Sequence, residues 1–279
     1  MKIVIAAVYA EAVDAGDIDP DEAINLDDLE RFHMENTEGG AHPQWLDQLD
    51  SESEDTVPLQ EVVEGMIVFS SNANTDFLLE KIGIESINER LEEWGLTDHD
   101  PVYPLVSPLL MYEDIGEEAA SLPMEDYRSQ VELYHEAIVQ GELDASAEGF
   151  TLSMDEQRMW SDRLPAATAA SYGEWLHDIH TDEWSNEGAT AILMDILEAG
   201  TADIEGIESF GQKGGSTAFV LNQAMYATTE DGNVMELVVL NDDLSWWQSF
   251  KLGRNMSIFI EQFFEDKTFR EEILEAIAD

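Results

Sequence analysis

Cysteine is missing from all 279 residues. That excludes disulfides, thiolate nucleophiles and cysteine-based metal sites, and it leaves the compartment open. Cations are almost as scarce. Twelve Lys plus Arg stand against 62 Asp plus Glu, for a formal charge of −50, and only five of the twelve are lysines: Lys2, Lys81, Lys213, Lys251 and Lys267. So little positive charge argues against nucleic acid and anionic membranes as partners, because both call for basic patches. No apolar run approaches the ~20 residues of a membrane-spanning helix. An export signal is poorly represented too. "MKIVIAAVYAEAVDAG" (1–16) offers one Lys and an apolar run, Ile3 to Ala10, at the short end of the ~7–15 residues of a signal core, and Glu11 follows at once. No internal repeat is evident.

What the chain does have is 44% apolar residues, enough for a globular protein with an ample core, in one large domain or two small ones. A surface at −50 repels itself at low salt. Molar salt shrinks the Debye length to ~3 Å and relieves the repulsion, which points to a protein adapted to a salt-rich medium. Any single acidic run is then solvation.

Helical periodicity runs through Ile3, Ala6, Ala7, Tyr9, Ala10 and Val13, and Gly16 closes it as a C-terminal cap. Asp17, Asp19 and Asp21 imitate the start of a calcium loop, but Glu22 stands where that loop needs Gly and Asp28 where it prefers Glu, so the stretch reads as a solvated turn. Residues 33–56 are polar and broken by Gly and Pro, hence loop. Residues 57–69 read as an apolar-faced helix, and 74–95 as two helices broken at Gly83. A helical stretch near Glu125–Val139 lies inside an acidic region. His177 and His180, at i and i+3 beside Asp178 and Asp182, could hold a metal or simply face solvent; no third ligand is defined. After Gly206 the pattern turns to strands, one through Gln212–Gly215, one near Thr217–Ala227 and one near Val234–Leu240, the last two joined at Asp231-Gly232, a strong hairpin signal. A C-terminal amphipathic helix or pair follows.

Two stretches could carry chemistry. Ser70-Ser71-Asn72 sits between two helices, where its ordinary role is an N-cap. Lys213-Gly214-Gly215-Ser216 sits on a strand, where glycines let another backbone approach closely.

Taken together, and in this order, the motifs resemble those of class A β-lactamases and related penicillin-recognising serine hydrolases. Ser70-x-Asn72 resembles their Ser-Asp-Asn segment and Lys213-Gly214-Gly215 their Lys-Thr-Gly strand. "MKIVIAAVYAEAVDAGDIDPDEAINL" resembles the helix that runs on from the lysine of Ser-x-x-Lys, with Lys2 on the motif lysine and the nucleophilic serine three residues before it, ahead of Met1. The resemblance covers about residues 1–30, 57–111 and 167–279. It implies an α+β fold of β-lactamase/transpeptidase type: an antiparallel sheet flanked by helices, plus an all-helical subdomain, with the first strands missing from the chain. It implies one catalytic domain over 1–279, its α/β part at 1–30 and 205–279 and its helical part at 31–204, with an acidic insertion at 112–166.

The implied chemistry is acyl transfer through a serine ester on a β-lactam or related amide or ester, with no cofactor and no metal. Lys2, Ser70 and Lys213 are the implied catalytic residues, and Asn72, Gly215 and Ser216 the implied substrate-binding ones. Partners are a small carboxylate-bearing substrate, no nucleic acid and no membrane span, on a monomer; relatives are usually exported. The chain departs from the family at Ser71, where the family has Asp, and at Gly214, where it has Thr or Ser. No Glu-x-x-Leu-Asn, the motif of the deacylating base, lies between Asn72 and Lys213. A non-catalytic module that keeps the pocket, or an acidic helical protein with accidental motifs, are the competing readings. With its first strands missing, the strand Val234–Leu240 should pair on one side only, its inner face covered by the first and last helices.

Overall fold

A helix that is apolar all round belongs inside a protein, and helix α1 (Lys2–Ala15) is buried at every position from Ile3 to Ala10. Gly16 ends it in the left-handed conformation, φ 77°, where glycine carries no Cβ penalty, and the Gly16 and Asp17 N–H groups return to the carbonyls of Val13 and Ala12. The computed structural model describes residues 1–49, 55–146, 151–201 and 204–278.

Around α1 the chain lays β1 (Ala23–Asn25), α2 (Leu26–Glu30), α3 (Ala41–Leu46), β2 (Thr56–Pro58) and α4 (Leu59–Glu64), with β1 and β2 paired antiparallel. Helix α3 falls inside the segment 33–56 that reads as loop. Its Pro43 lies in the first turn, where a missing N–H costs nothing. The stretch 57–69 is not one helix: it starts in β2, becomes α4, and ends as a π-helix over Gly65–Phe69. Then come α5 (Asn72–Ile82), α6 (Ile84–Glu93), α7 (Ser107–Ile115), α8 (Glu117–Ser121), α9 (Met124–Val139), α10 (Met154–Ser161), α11 (Ala169–His180) and α12 (Glu187–Glu198). The acidic region 112–166 packs Tyr112, Tyr127, Val131, Ile138 and Trp160 into a second core shared with Phe32, Met34 and Tyr103.

Strands β3 (Ile207–Ser216), β4 (Leu221–Thr229) and β5 (Val234–Asn241) form an antiparallel sheet in that order, followed by α13 (Trp246–Glu265) and α14 (Lys267–Ala278). The β4–β5 hairpin turns at Gly232, φ 77°. Residues 217–220, which read as strand, form a turn instead: Thr217 Oγ1 accepts the Phe219 N–H at 3.1 Å. Alternation along β4 splits the sheet into two faces. Met225 and Ala227 join Met235, Leu237, Phe263 and Phe264 on one side, and Ala224 and Tyr226 join the α1 cluster on the other. Among the described residues β5 pairs with β4 alone. Its Met235 and Leu237 meet Phe263 and Phe264 of α13, the first of the two C-terminal helices. On the opposite face α11, not the first helix, lies against it, with His177 and His180 both hydrogen-bonded to Glu236 Oε1 at 3.0 and 3.2 Å.

Candidate active site

The site is assembled where the π-helix runs out. A π-turn inserts an extra residue into the helical repeat and often marks a functional position. Here it delivers Ser70 at φ 66°, ψ 29°. Among the described residues with positive φ, Ser70 alone is neither Gly, Asn nor Asp. A serine gains little from that region and is held there by its surroundings. The close packing that sets the π-turn depends on Gly65, where an added Cβ would come within 2.4 Å of Asn74 Nδ2 and 2.7 Å of Trp45 Nε1.

Lys2 reaches this turn from the start of α1. Its Nζ lies 2.5 Å from the Ser70 carbonyl, 2.9 Å from Asn72 Oδ1, 3.1 Å from Ser70 Oγ and 3.4 Å from the Ser71 carbonyl. The residue keeps part of its surface open, but the amine is packed round by protein. Burial pulls its pKa well down, and the charge of Lys213 pulls the same way; the carboxylates of Glu38 and Asp76 oppose both. Three of the residues singled out in the sequence, Lys2, Ser70 and Asn72, are thus in direct contact.

Lys213 stands on β3, its amine donating to the Gly214 carbonyl at 2.6 Å, with burial bringing its pKa down to about 8. It acts on Lys2 through space. Gly215 and Ser216 are exposed, further along the same strand, opposite Asn222 and Leu221 of β4. The two glycines do not admit a second backbone. A Cβ at Gly214 would meet only the flexible Gln223 amide at 3.1 Å, and one at Gly215 nothing at all. The glycine of β3 that does permit close packing is Gly211, under the Tyr226 ring.

Ser71 shows how the segment holds without the family's Asp. Its hydroxyl caps α5 by accepting the Asn74 N–H at 3.1 Å, and His42 Nδ1 lies 3.0 Å from the same oxygen. Five residues on, Asp76 is fully buried and takes the N–H groups of Leu105 and Val106, each at 2.8 Å. Burial outweighs those two bonds and raises its pKa to about 7. Glu38 places Oε2 2.5 Å from the Asn72 N–H. Sequence reasoning singled out none of His42, Asp76 and Glu38. For Asp76 a signal existed, since i+4 from Asn72 puts it on the same helix face. Glu38 and His42 sit in a polar stretch with no local mark. The His177–His180 pair turns toward Glu236 and the sheet, and no group of three or more His, Asp or Glu suited to a metal occurs among the described residues. No helix among them is long and apolar enough to cross a membrane.

The profile of the Beta-lactamase enzyme family matches residues 1–245, a span that includes the acidic stretch 112–166. Among solved structures, the chain is similar to a β-lactamase from Sphaerobacter thermophilus at 16% identity and a TM-score of 0.53, over 88% of this chain and 73% of that one. It is similar to PBP-A at 16% identity and 0.54, over 95% and 79%. It is also similar to the TLA-1 extended-spectrum β-lactamase at 13% and 0.54, over 87% and 74%. At such identities the likeness is one of fold: helices around a small antiparallel sheet. No curated protein sequence matches. On the family match, spanning most of its length, the chain belongs to the β-lactamase enzyme family.

Proposed function

We propose that this is the site of a serine hydrolase that transfers an acyl group from a β-lactam or a related amide or ester, and that the nucleophile belongs three residues before Lys2, ahead of Met1. One observation carries the reading. Residues 68 and 70 positions away in the chain bring a hydroxyl and an amide oxygen to 3.1 and 2.9 Å from the Lys2 amine.

The geometry suits a neutral amine. Three of its neighbours, the Ser70 and Ser71 carbonyls and Asn72 Oδ1, can only accept; in a neutral amine the two nearer, at 2.5 and 2.9 Å, take its two N–H groups and the Ser71 carbonyl, at 3.4 Å, stays at the margin. The lone pair is left for a hydroxyl proton, and Ser70 Oγ is the hydroxyl in reach. Burial and the Lys213 charge favour that state, against the pull of Glu38 and Asp76. Lys2 then takes the proton of the nucleophilic serine as its oxygen attacks the acyl carbon. The C–N or C–O bond breaks as Ser70 gives its proton to the leaving atom and takes one back from the Lys2 ammonium, so that both groups end neutral. With Oδ1 held by Lys2, Asn72 has its Nδ2 free to donate to the carbonyl of the substrate's side chain. Lys213 attracts the substrate carboxylate, with Gly215 and Ser216 alongside; the Ser216 N–H and that of the nucleophile would face the oxyanion. Loss of one such donor costs ~10²–10³ in rate. The substrate is a small molecule, the protein a monomer, and nucleic acid is not a partner.

A second reading, a binding module that keeps the pocket without the chemistry, draws on Gly214, which offers no hydroxyl to a carboxylate, and on the missing Glu-x-x-Leu-Asn. One experiment separates the two. The 279-residue chain, incubated with a fluorescent penicillin and run on a denaturing gel, should carry no label. A chain extended upstream to place serine three residues before Lys2 should become labelled. Stoichiometric label on the short chain refutes the assignment of the nucleophile, and an unlabelled extended chain favours the binding module.

A further inference from the structure

We propose that Glu38 is a positioning residue of this site: its carboxylate clamps the Asn72 N–H and so fixes the amide oxygen that holds the Lys2 amine. The inference deepens the acyl-transfer reading and rests on it only for what Lys2 does afterwards.

The clamp is built from a part of the chain that carries no motif. The Glu38 side chain is 5% exposed. Its Oε2 accepts the Asn72 N–H at 2.5 Å, and its Oε1 accepts the His42 N–H at 3.3 Å. Asn72 is the first residue of α5, where unpaired N–H groups and the helix dipole both favour an anion. On the other side of the same residue, Asn72 Oδ1 accepts from Lys2 Nζ at 2.9 Å. Carboxylate and amine are therefore coupled through one residue, the first at its backbone N–H and the second at its side-chain oxygen. The position next to it, Ser71, offers a hydroxyl that can cap a helix but brings no charge. Glu38 supplies the charge from outside the segment.

The carboxylate is itself held. His33 Nε2 stands 3.8 Å from Oε1, and Glu30 lies between the two rings, 3.6 Å from His33 Nδ1 and 3.2 Å from His42 Nε2. The rings of His33 and His42 pack at 4.9 Å. His42 Nδ1 closes the belt on Ser71 Oγ at 3.0 Å. Residues 30–42 thus hold Ser71 through His42 and Asn72 through Glu38. The titratable groups around Lys2 are Glu38, Asp76, Lys213 and the Met1 amine, whose own pKa burial pulls down to about 5, so removing Glu38 leaves Asp76 alone to oppose the charge of Lys213.

The test reads Lys2 directly. In ¹³C-lysine-labelled protein the five lysines can be titrated separately through their ε-carbons. Glu38→Gln keeps an acceptor oxygen and drops the charge; Glu38→Ala drops both. Lys2 should titrate lower in Glu38→Gln, by about one pH unit, and lower again in Glu38→Ala, where the amide is freed. Glu93→Gln, at the exposed end of α6, should change nothing. Equal values in the two Glu38 variants would mean charge without positioning, and an unchanged Lys2 in a folded variant overturns the proposal outright. Should Glu38→Ala fail to fold, deuterium exchange of the Asn72 amide decides: the clamp predicts protection in the parent protein that falls ~10-fold or more in Glu38→Gln, and equal protection sinks it. Neither readout involves a substrate. A chain that never forms an acyl-enzyme leaves the clamp intact, and a failed clamp leaves the acyl-transfer reading standing.

Discussion

Asp76 poses the sharpest question at the scale of single residues, because it is buried, negatively chargeable and close to a lysine that the chemistry needs neutral. Its folded pKa, about 7, is above the ordinary 3.8. A group that binds its proton more tightly when folded contributes stability that is full below its unfolded pKa and lost as pH rises through the folded one. Asp76 should therefore weaken the fold progressively between about pH 4 and pH 7. Asp76→Asn removes that slope at a cost. One amide oxygen cannot serve the N–H groups of both Leu105 and Val106, so one is left facing an NH₂, for a loss of ~1–3 kcal/mol. Urea unfolding at pH 5 and pH 8 checks both parts: the variant should be less stable at pH 5, and its difference between the two pH values smaller. An unchanged difference would show that Asp76 does not titrate in this range. The sequence was legible here only where a motif carried the residue. Lys2, Ser70 and Asn72 were marked by type and order, and the scarcity of lysine made each surviving one informative. Glu38 and His42 act from a stretch whose composition says loop, because the contacts that bury them are made by residues ~30 positions away.

At the scale of elements, the legible features were those with a local cause. The cap at Gly16, the hairpin at Asp231-Gly232 and the buried first helix all follow from neighbouring residues. The π-turn, the short helix α3 and the turn at 217–220 do not, since each is fixed by a partner elsewhere in the fold. Gly65 is the clearest case. Nothing in "VVEGMIVF" announces a π-turn, yet that glycine is where α3 and α5 press against the backbone through Trp45 and Asn74. Gly65→Ala removes a helix-weakening glycine, which alone would stabilise an isolated helix by ~1 kcal/mol. Inside this fold the added methyl must displace Asn74 Nδ2, which donates to the Val62 carbonyl, or the Trp45 ring. Overpacking of this kind costs ~1–3 kcal/mol, so the net effect should be destabilising. Thermal unfolding of Gly65→Ala, with the ε-carbon shift of Lys2 as a local reporter, tests this: a lower midpoint and a shifted Lys2 signal are expected. A more stable variant would mean that the close approach at Gly65 does not constrain the turn.

For the molecule as a whole, the charge of −50 has to be reconciled with a folded state. Local pairing does not do it. Six of the twelve cations are in ion pairs among the described residues: Arg31 with Asp28, Lys81 with Glu22, Arg90 with Glu11 and Glu93, Arg128 with Asp100, Arg158 with Asp162 and Asp243, and Lys267 with Glu271. Exposed pairs of this kind contribute ~0–1 kcal/mol each, and twelve cations cannot neutralise 62 acids. Some acids are placed well, as in the first turns of α9 and α10, where Glu125, Asp126, Asp155 and Glu156 complement the helix dipole. The remainder repel one another. Screening is the remaining relief, and it has a recognisable concentration dependence. The Debye length falls from ~10 Å at 0.1 M to ~3 Å at 1 M, less than a typical spacing between surface charges. Stability should therefore climb steeply over the first few tenths molar of KCl and level off near 1 M, with NaCl giving the same curve. Sucrose at matched osmolality, which is excluded from the surface but screens nothing, should not reproduce the steep part. Far-UV circular dichroism in dilute buffer should show lost helix that KCl restores. A chain equally stable in dilute buffer and molar salt would mean that its acidic surface is not an adaptation to salt.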